Sequence, residues 1–183
     1  LPMNKVYLDN AATTQIREEV IREMVEVMSN DFGNPSSTHS FGRNAKNIIE
    51  LSRKAIAKAL NCNAQEIIFT SGGTESNNII LRSCVKDLQV ERIITSKIEH
   101  HAVLHTIEAL QKEFGIHVDY VAIKKDGSID ISNLVDLLSQ NLKTLVSLMH
   151  VNNEVGAVLD LDLVARICQQ NNALFHSDTV QSV

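Results

Sequence analysis

At 183 residues the chain is long enough for one substantial core or one large domain. Its 44% hydrophobic and 21% charged residues suit a soluble globular protein, and a net charge of −5 gives no electrostatic case for nucleic acid or an anionic membrane surface. No apolar run approaches the roughly 20 residues that a membrane span needs, and no signal-peptide pattern opens the chain. Leu1-Pro2, ahead of Met3, reads as a cloning remnant. The three cysteines, Cys62, Cys84 and Cys168, are odd in number and far apart. They have neither metal-ligand nor disulfide spacing, so they read as packed residues in a reducing compartment, the cytoplasm, and no metal site is expected.

In chain order, Val6-Tyr7-Leu8 is a short extended piece that leads into a polar turn of small residues at 9–14. Ile16, Val20, Met24, Val27 and Met28 recur at helical spacing and predict an amphipathic helix over about 15–28. A loop rich in Gly, Pro, Asn and hydroxyls follows, centred on Phe32-Gly33-Asn34-Pro35-Ser36-Ser37; loops of this length are usually functional or mobile. A second long helix is expected over 42–60. From Asn63 onward the pattern becomes a regular alternation. Strands are expected at 67–70, 92–96, 117–123, 144–150 and 173–176, and helices at 75–85, 101–114, 131–138 and 160–170. Such alternation demands an α/β fold: a mainly parallel sheet with helices on both faces, preceded by N-terminal helices. The expected division is 1-62 for the N-terminal segment and helices, and 63-183 for the α/β domain. The ending at Ser177-Asp178-Thr179-Val180-Gln181-Ser182-Val183 has no closing helix or polar tail, so that domain reads as truncated and C-terminally incomplete.

The stretch 66–78 runs from a β-branched and aromatic apolar segment through Ser71-Gly72-Gly73 into a helix, with Thr74 or a neighbour as cap and Glu75 in the first turn. Strand, glycine turn and helix N-terminus together bind phosphate. The first N–H groups of a helix lack internal acceptors, and the macrodipole adds about half a positive charge there. A Gly-Gly at this point is also compatible with a plain tight turn. In open α/β sheets ligands sit outside the carboxyl ends of the strands, so the polar residues after each apolar run carry the chemistry. They are Gly72, Gly73 and Thr74; then Lys97, Glu99, His100 and His101; then His150, Asn152, Asn153 and Glu154; and last His176, Asp178 and Gln181. Singly, His100 could end a strand or cap a helix, and Asp178 could be an N-cap. Together they fit a phosphorylated planar heteroaromatic cofactor. The phosphate would sit on the glycine turn and His100 would stack on a ring face. Asp178 would hold a ring nitrogen protonated, making the ring an electron sink, and Gln181 would donate to a ring oxygen.

Six motifs in this order resemble a known family. They are Tyr7-Leu8-Asp9-Asn10-Ala11-Ala12-Thr13-Thr14, Phe32-Gly33-Asn34-Pro35-Ser36-Ser37, Phe69-Thr70-Ser71-Gly72-Gly73-Thr74-Glu75-Ser76, Ser96-Lys97-Ile98-Glu99-His100-His101-Ala102-Val103, Met149-His150-Val151-Asn152-Asn153-Glu154-Val155-Gly156 and His176-Ser177-Asp178-Thr179-Val180-Gln181-Ser182. The chain resembles, over essentially its whole length, the N-terminal part of a cysteine desulfurase of the NifS/IscS type, among the class-V, fold-type I pyridoxal 5'-phosphate enzymes. The resemblance implies the large cofactor-binding domain of that fold, truncated. It implies that Gly73 and Thr74 bind the phosphate and that His100 stacks on the ring and serves as catalytic acid/base. Asp178 would pair with the ring nitrogen, Gln181 with the ring hydroxyl, and Asn153 would position the ring hydroxyl and the substrate carboxylate. Residues 11–14 and 34–36 would line the substrate side. The small departures at Ser177 and Thr179-Val180 leave the Asp and Gln spacing intact.

The full family reaction takes L-cysteine to L-alanine and passes sulfur as an enzyme persulfide to an acceptor or scaffold protein, commonly for iron–sulfur cluster assembly, in a homodimer. The Schiff-base lysine, the persulfide cysteine and the arginine that holds the substrate carboxylate lie beyond Val183 in that family, so the chain alone is expected to be inactive. Lys97, the one lysine at a strand end near the expected site, falls in a neighbouring motif and is assigned to the surface. Two alternatives stand beside this reading. One is another class-V enzyme, a transaminase or selenocysteine lyase. The other is a non-catalytic fragment that binds the cofactor phosphate or a partner protein.

Overall fold

Periodic apolar residues wind the first part of the chain into two helices, α1 (Glu18–Asn30) and α2 (Ser40–Ala59). The computed structural model describes residues 5–183, so the remnant read at Leu1-Pro2 lies outside the described residues. Two units follow from the contacts, one running up to Phe69 and the other covering Thr70–Val183. In the first unit α1 carries Glu18 and Glu19 in its first turn, where carboxylates complement the macrodipole, and none of its residues is buried. The loop between the helices ends at His39, whose Nδ1 accepts from the Gly42 amide at 3.4 Å and caps α2.

After α2 a single 3-10 turn (Ala64–Glu66) is closed by the Glu66 carboxylate, which accepts from the Asn63 amide at 2.6 Å and from its side chain at 3.0 Å. The strand expected at 67–70 does not form. Ile67 is extended, but no described residue supplies a hydrogen-bonded neighbour, and Ile68 and Phe69 stay 70% and 47% exposed. β-branched residues favour extended backbone, yet a ladder partner makes the strand. Arg53 holds this segment instead. It donates to the Ile67 carbonyl and places its guanidinium 4.9 Å from the Phe69 ring.

The second unit alternates as expected: α3 (Gly73–Lys86), β1 (Arg92–Thr95), α4 (His101–Phe114), β2 (His117–Tyr120), α5 (Ile131–Leu138), β3 (Thr144–Ser147), α6 (Leu161–Gln170) and β4 (Leu174–His176). The four strands form one all-parallel sheet in the order β2-β1-β3-β4. The strands at 117–123 and 144–150 end sooner than expected. Each runs into an antiparallel bridge, Ile123 with Ile129 and Val151 with Val158, that turns the chain away. Both faces of the sheet are covered, because successive side chains alternate. Ile93 and Leu145 enter one core with Leu81, Val103, Ile107 and Leu110 of α3 and α4. Ile94 and Val146 enter the other with Leu134, Leu138, Val164 and Ile167 of α5 and α6.

Arg92 shares the Ile94 face and is fully buried. Its Nε donates to Asp119 of β2 at 2.6 Å and its Nη1 to the Leu137 carbonyl at 2.7 Å, tying β1, β2 and α5 together. Removing the counter-charge would leave a guanidinium stranded in the core. Asp119→Ala should therefore cost about 3 kcal/mol, seen as a lower urea midpoint at unchanged m, whereas Arg92→Met should cost less because Asp119, 39% exposed, can be solvated. Equal losses would refute this account.

Candidate functional site

α3 begins without a side-chain cap. Of the expected cap, Thr74 or a neighbour, the structure takes the neighbour: Gly72, at φ 157° and ψ 179°, a region essentially reserved for glycine. Its carbonyl accepts from the Ser76 amide at 3.1 Å, while Glu75 reaches back to accept from the Ser71 amide at 2.5 Å. That bond holds the Glu75 carboxyl below its ordinary range. A bare cap leaves the first-turn amides facing outward, the arrangement an oxyanion requires. Space here is tight: a Cβ on Gly73 would meet Val180 Cγ2 at 2.6 Å.

Asp178 follows β4 and is only 8% exposed. Its Oδ2 accepts from Asn77 Nδ2 at 2.8 Å and its Oδ1 from the Val180 amide at 3.0 Å. Gly73 and Asp178 line the same hollow, with Asn77 and His176. Thr74 and His100 line a second hollow, with Arg82, His101 and His105. Gly73 and Thr74 are consecutive, so both hollows open at the first turn of α3. Asn153 and Gln181 line neither. Asn153 is half-buried in the loop after β3, and Gln181 lies in an exposed turn closed by the Ser182 amide on the Thr179 carbonyl at 2.9 Å.

His100 also performs the structural role open to it, capping α4: its Nδ1 accepts from the Ala102 amide at 3.1 Å. An accepting Nδ1 puts the proton of the neutral ring on Nε2, the nitrogen left to exchange protons. Lys97 turns away from both hollows. Its ammonium lies 5.6 Å from the Tyr120 ring, beside β2.

Three of the strand-end polar residues singled out in the sequence, none with an individual role there, form supporting contacts. Glu99, 6% exposed, sits where the strand order reverses between β1 and β3; it accepts from Ser96 Oγ at 2.7 Å and from the Met149 amide at 3.1 and 3.0 Å. Burial, opposed by those bonds and aided by the nearby Asp178 charge, raises its carboxyl from 4.5 to about 7. His176 meets Ser147 Oγ at 2.9 Å, and burial lowers its pKa against the pull of Asp178. Asn152 donates to the Ile98 carbonyl at 2.7 Å and accepts from the Glu154 and Val155 amides at 2.9 Å each, pinning the loop after β3 to the loop after β1. Polar residues at buried strand ends were the available signal for Glu99 and His176. The Asn77 contact spans 101 positions and has no local signal.

Residues 6–183 match the family model described as aminotransferase class-V. The chain belongs to that family. Among curated relatives of this class-V chain, the cysteine desulfurase IscS of Dictyoglomus turgidum is 42% identical over 181 residues, which is 98% of this chain and 45% of that protein. The cysteine desulfurase IscS of Clostridium botulinum is 39% identical over 184 residues, covering 99% and 46% respectively. Among solved structures, a NifS-like protein superposes with a TM-score of 0.92 at 38% identity, covering 98% of this chain and 50% of that one. The structure described as SspA in complex with cysteine gives 0.89 at 33%, covering 96% and 51%. The chain spans about half the length of the curated relatives it matches. The fold is thus that of the fold-type I pyridoxal-phosphate enzymes, and the class-V family uses that cofactor.

The donor set suits such a ligand: outward amides at a bare helix start, a buried hydrogen-bonded carboxylate in the same hollow, and an imidazole beside Thr74. The raised Glu99 carboxyl makes a separate statement about stability. Its folded-state pKa of about 7 exceeds the ordinary 4.5, so its contribution is complete below about pH 4.5 and is lost as pH rises through 7. Relative to Glu99→Gln, the unsubstituted chain should lose roughly 3 kcal/mol between those limits in urea unfolding. A pH-independent difference between the two would show that Glu99 titrates normally.

Proposed function

We propose that this chain is the coenzyme-binding part, placed at 63-183, of a cysteine desulfurase that converts L-cysteine to L-alanine and passes the sulfur on as an enzyme persulfide. The observation that carries the reading is the bare start of α3 facing the same hollow as the buried Asp178 carboxylate. Pyridoxal 5'-phosphate, when bound, supplies an electron sink for charge that develops on the substrate. Gly73 and Thr74 hold its phosphate through backbone amides and the Thr74 hydroxyl. Asp178, kept as an acceptor by two donors, holds the ring-nitrogen proton. His100 stacks on the ring and exchanges protons at Nε2, its ring fixed by the Ala102 amide. Gln181 takes the ring hydroxyl, and Asn153 positions that hydroxyl and the substrate carboxylate. Support for cysteine as substrate comes from the names of the relatives and from the neighbour described in complex with cysteine.

The reading extends to a homodimer, to a sulfur-acceptor or scaffold protein of iron–sulfur cluster assembly, and to the cytoplasm. No helix among the described residues is long and apolar enough to cross a membrane. No lysine among the described residues lines either hollow, so the 183-residue chain by itself is expected to release no sulfide from cysteine. It should nevertheless bind pyridoxal 5'-phosphate non-covalently, measured by ligand fluorescence. Asp178→Ala should weaken binding about tenfold, the loss of one charge-assisted contact, and Gly73→Ala should weaken it by forcing apart the turn, where the added Cβ would meet Val180 Cγ2 at 2.6 Å. Binding unchanged in both variants would sink the assignment of this hollow, and robust sulfide release by the chain alone would sink the expected inactivity.

A further inference from the structure

We propose that Asn77 is a positioning residue for Asp178, tying the phosphate-binding helix to the carboxylate that holds the ring nitrogen; this rests on the coenzyme reading above. Asn77 lies on α3 four positions after Gly73 and is only 4% exposed. Its Nδ2 donates to Asp178 Oδ2 at 2.8 Å across 101 residues of chain. The second oxygen, Oδ1, is held by the Val180 amide at 3.0 Å. Both Asp178 oxygens therefore have fixed donors, one from its own turn and one from α3, and each oxygen keeps a lone pair for a further donor. Only the α3 donor sets where the carboxylate sits relative to Gly73, because the Val180 amide moves with Asp178.

The chemistry follows from the direction of the bond. The amide N–H of Asn77 points at one carboxylate oxygen and fixes where that oxygen sits. A pyridinium N–H facing that carboxylate finds it already oriented. The surroundings agree. Glu99, the other carboxyl near Asp178, has its pKa raised by burial to about 7 and so carries less negative charge at neutral pH than an ordinary glutamate, and His176 is driven toward its neutral form. The groups of the same hollow that face Asp178 are otherwise hydroxyl, amide and apolar.

The test uses the full chain with pyridoxal 5'-phosphate carrying a ¹⁵N-labelled ring nitrogen, whose NMR shift distinguishes pyridine from pyridinium. In the unsubstituted chain the bound ring should stay protonated to higher pH than in Asn77→Leu, with the midpoint lowered by about one pH unit in the variant. Asn77→Gln, which keeps a donor, should restore part of that shift. Without ligand, the Asn77 side-chain amide signal should move on Asp178→Asn. Should Asn77→Leu fail to fold by circular dichroism, Asn77→Ser, whose hydroxyl is too short to reach, serves in its place. If Asp178→Asn abolishes ring protonation but Asn77→Leu and Asn77→Ser leave it as in the unsubstituted chain, the role given to Asn77 is wrong and the coenzyme site stands. If Asp178→Asn leaves the ring protonated, or the unsubstituted chain binds no pyridoxal 5'-phosphate, the coenzyme reading itself fails and this inference with it.

Discussion

The second unit depends on burying β1 and β3 from both sides at once. Their residues alternate between two cores, one under α3 and α4 and the other under α5 and α6, so the strands cannot slip by one residue without exchanging the cores. Their parallel pairing, Arg92 beside Thr144 through Thr95 beside Ser147, then brings both carboxyl ends to one level. Every polar group that follows is delivered to that level without further instruction. Because β1 leads out to β2 on one side and β3 leads to β4 on the other, the two exits diverge and leave a crevice between them.

A crevice in a parallel sheet is a costly place for polar groups, and the structure answers with bonded pairs rather than with exposure. Glu99 fills the gap between the exits by bonding Ser96 on one and Met149 on the other. Asn152 stitches the two loops together above it. His176 takes Ser147 as partner. Burial drives both titratable groups toward their neutral forms, Glu99 upward and His176 downward.

How much of this was legible in the sequence depended on whether the signal was local. α4 and α5 are found at their expected limits, since periodicity, a capping residue and a following turn all sit within a few residues. The apolar run at 67–70 looked like a strand by composition, yet composition cannot supply a neighbour to bond with. The glycine turn was legible as a helix start, but the cap was left between Thr74 and a neighbour; that it is Gly72 follows from backbone angles, which residue type only permits. His100 had two readings, helix cap or ring partner. The structure shows the first, through Nδ1.

Asn77 shows why the remainder could not be read in advance. Within its own segment it is one of two adjacent asparagines on an ordinary helix, with nothing to separate it from Asn78, whose side chain merely donates to the Thr74 carbonyl one turn back. The difference arises only when β4 lays Asp178 beside α3. From that point a single rigid helix carries both the uncapped amides at its start and the donor that fixes a carboxylate one turn later, a rise of roughly 6 Å. Under the proposed reading, a ligand with a phosphate at one end and a basic ring nitrogen at the other would be measured against one ruler. Two loops free to move independently would not hold that spacing. Placing both contacts on α3 makes recognition of the two ends a property of one element, and that element is locked to the sheet by Leu81 in the core.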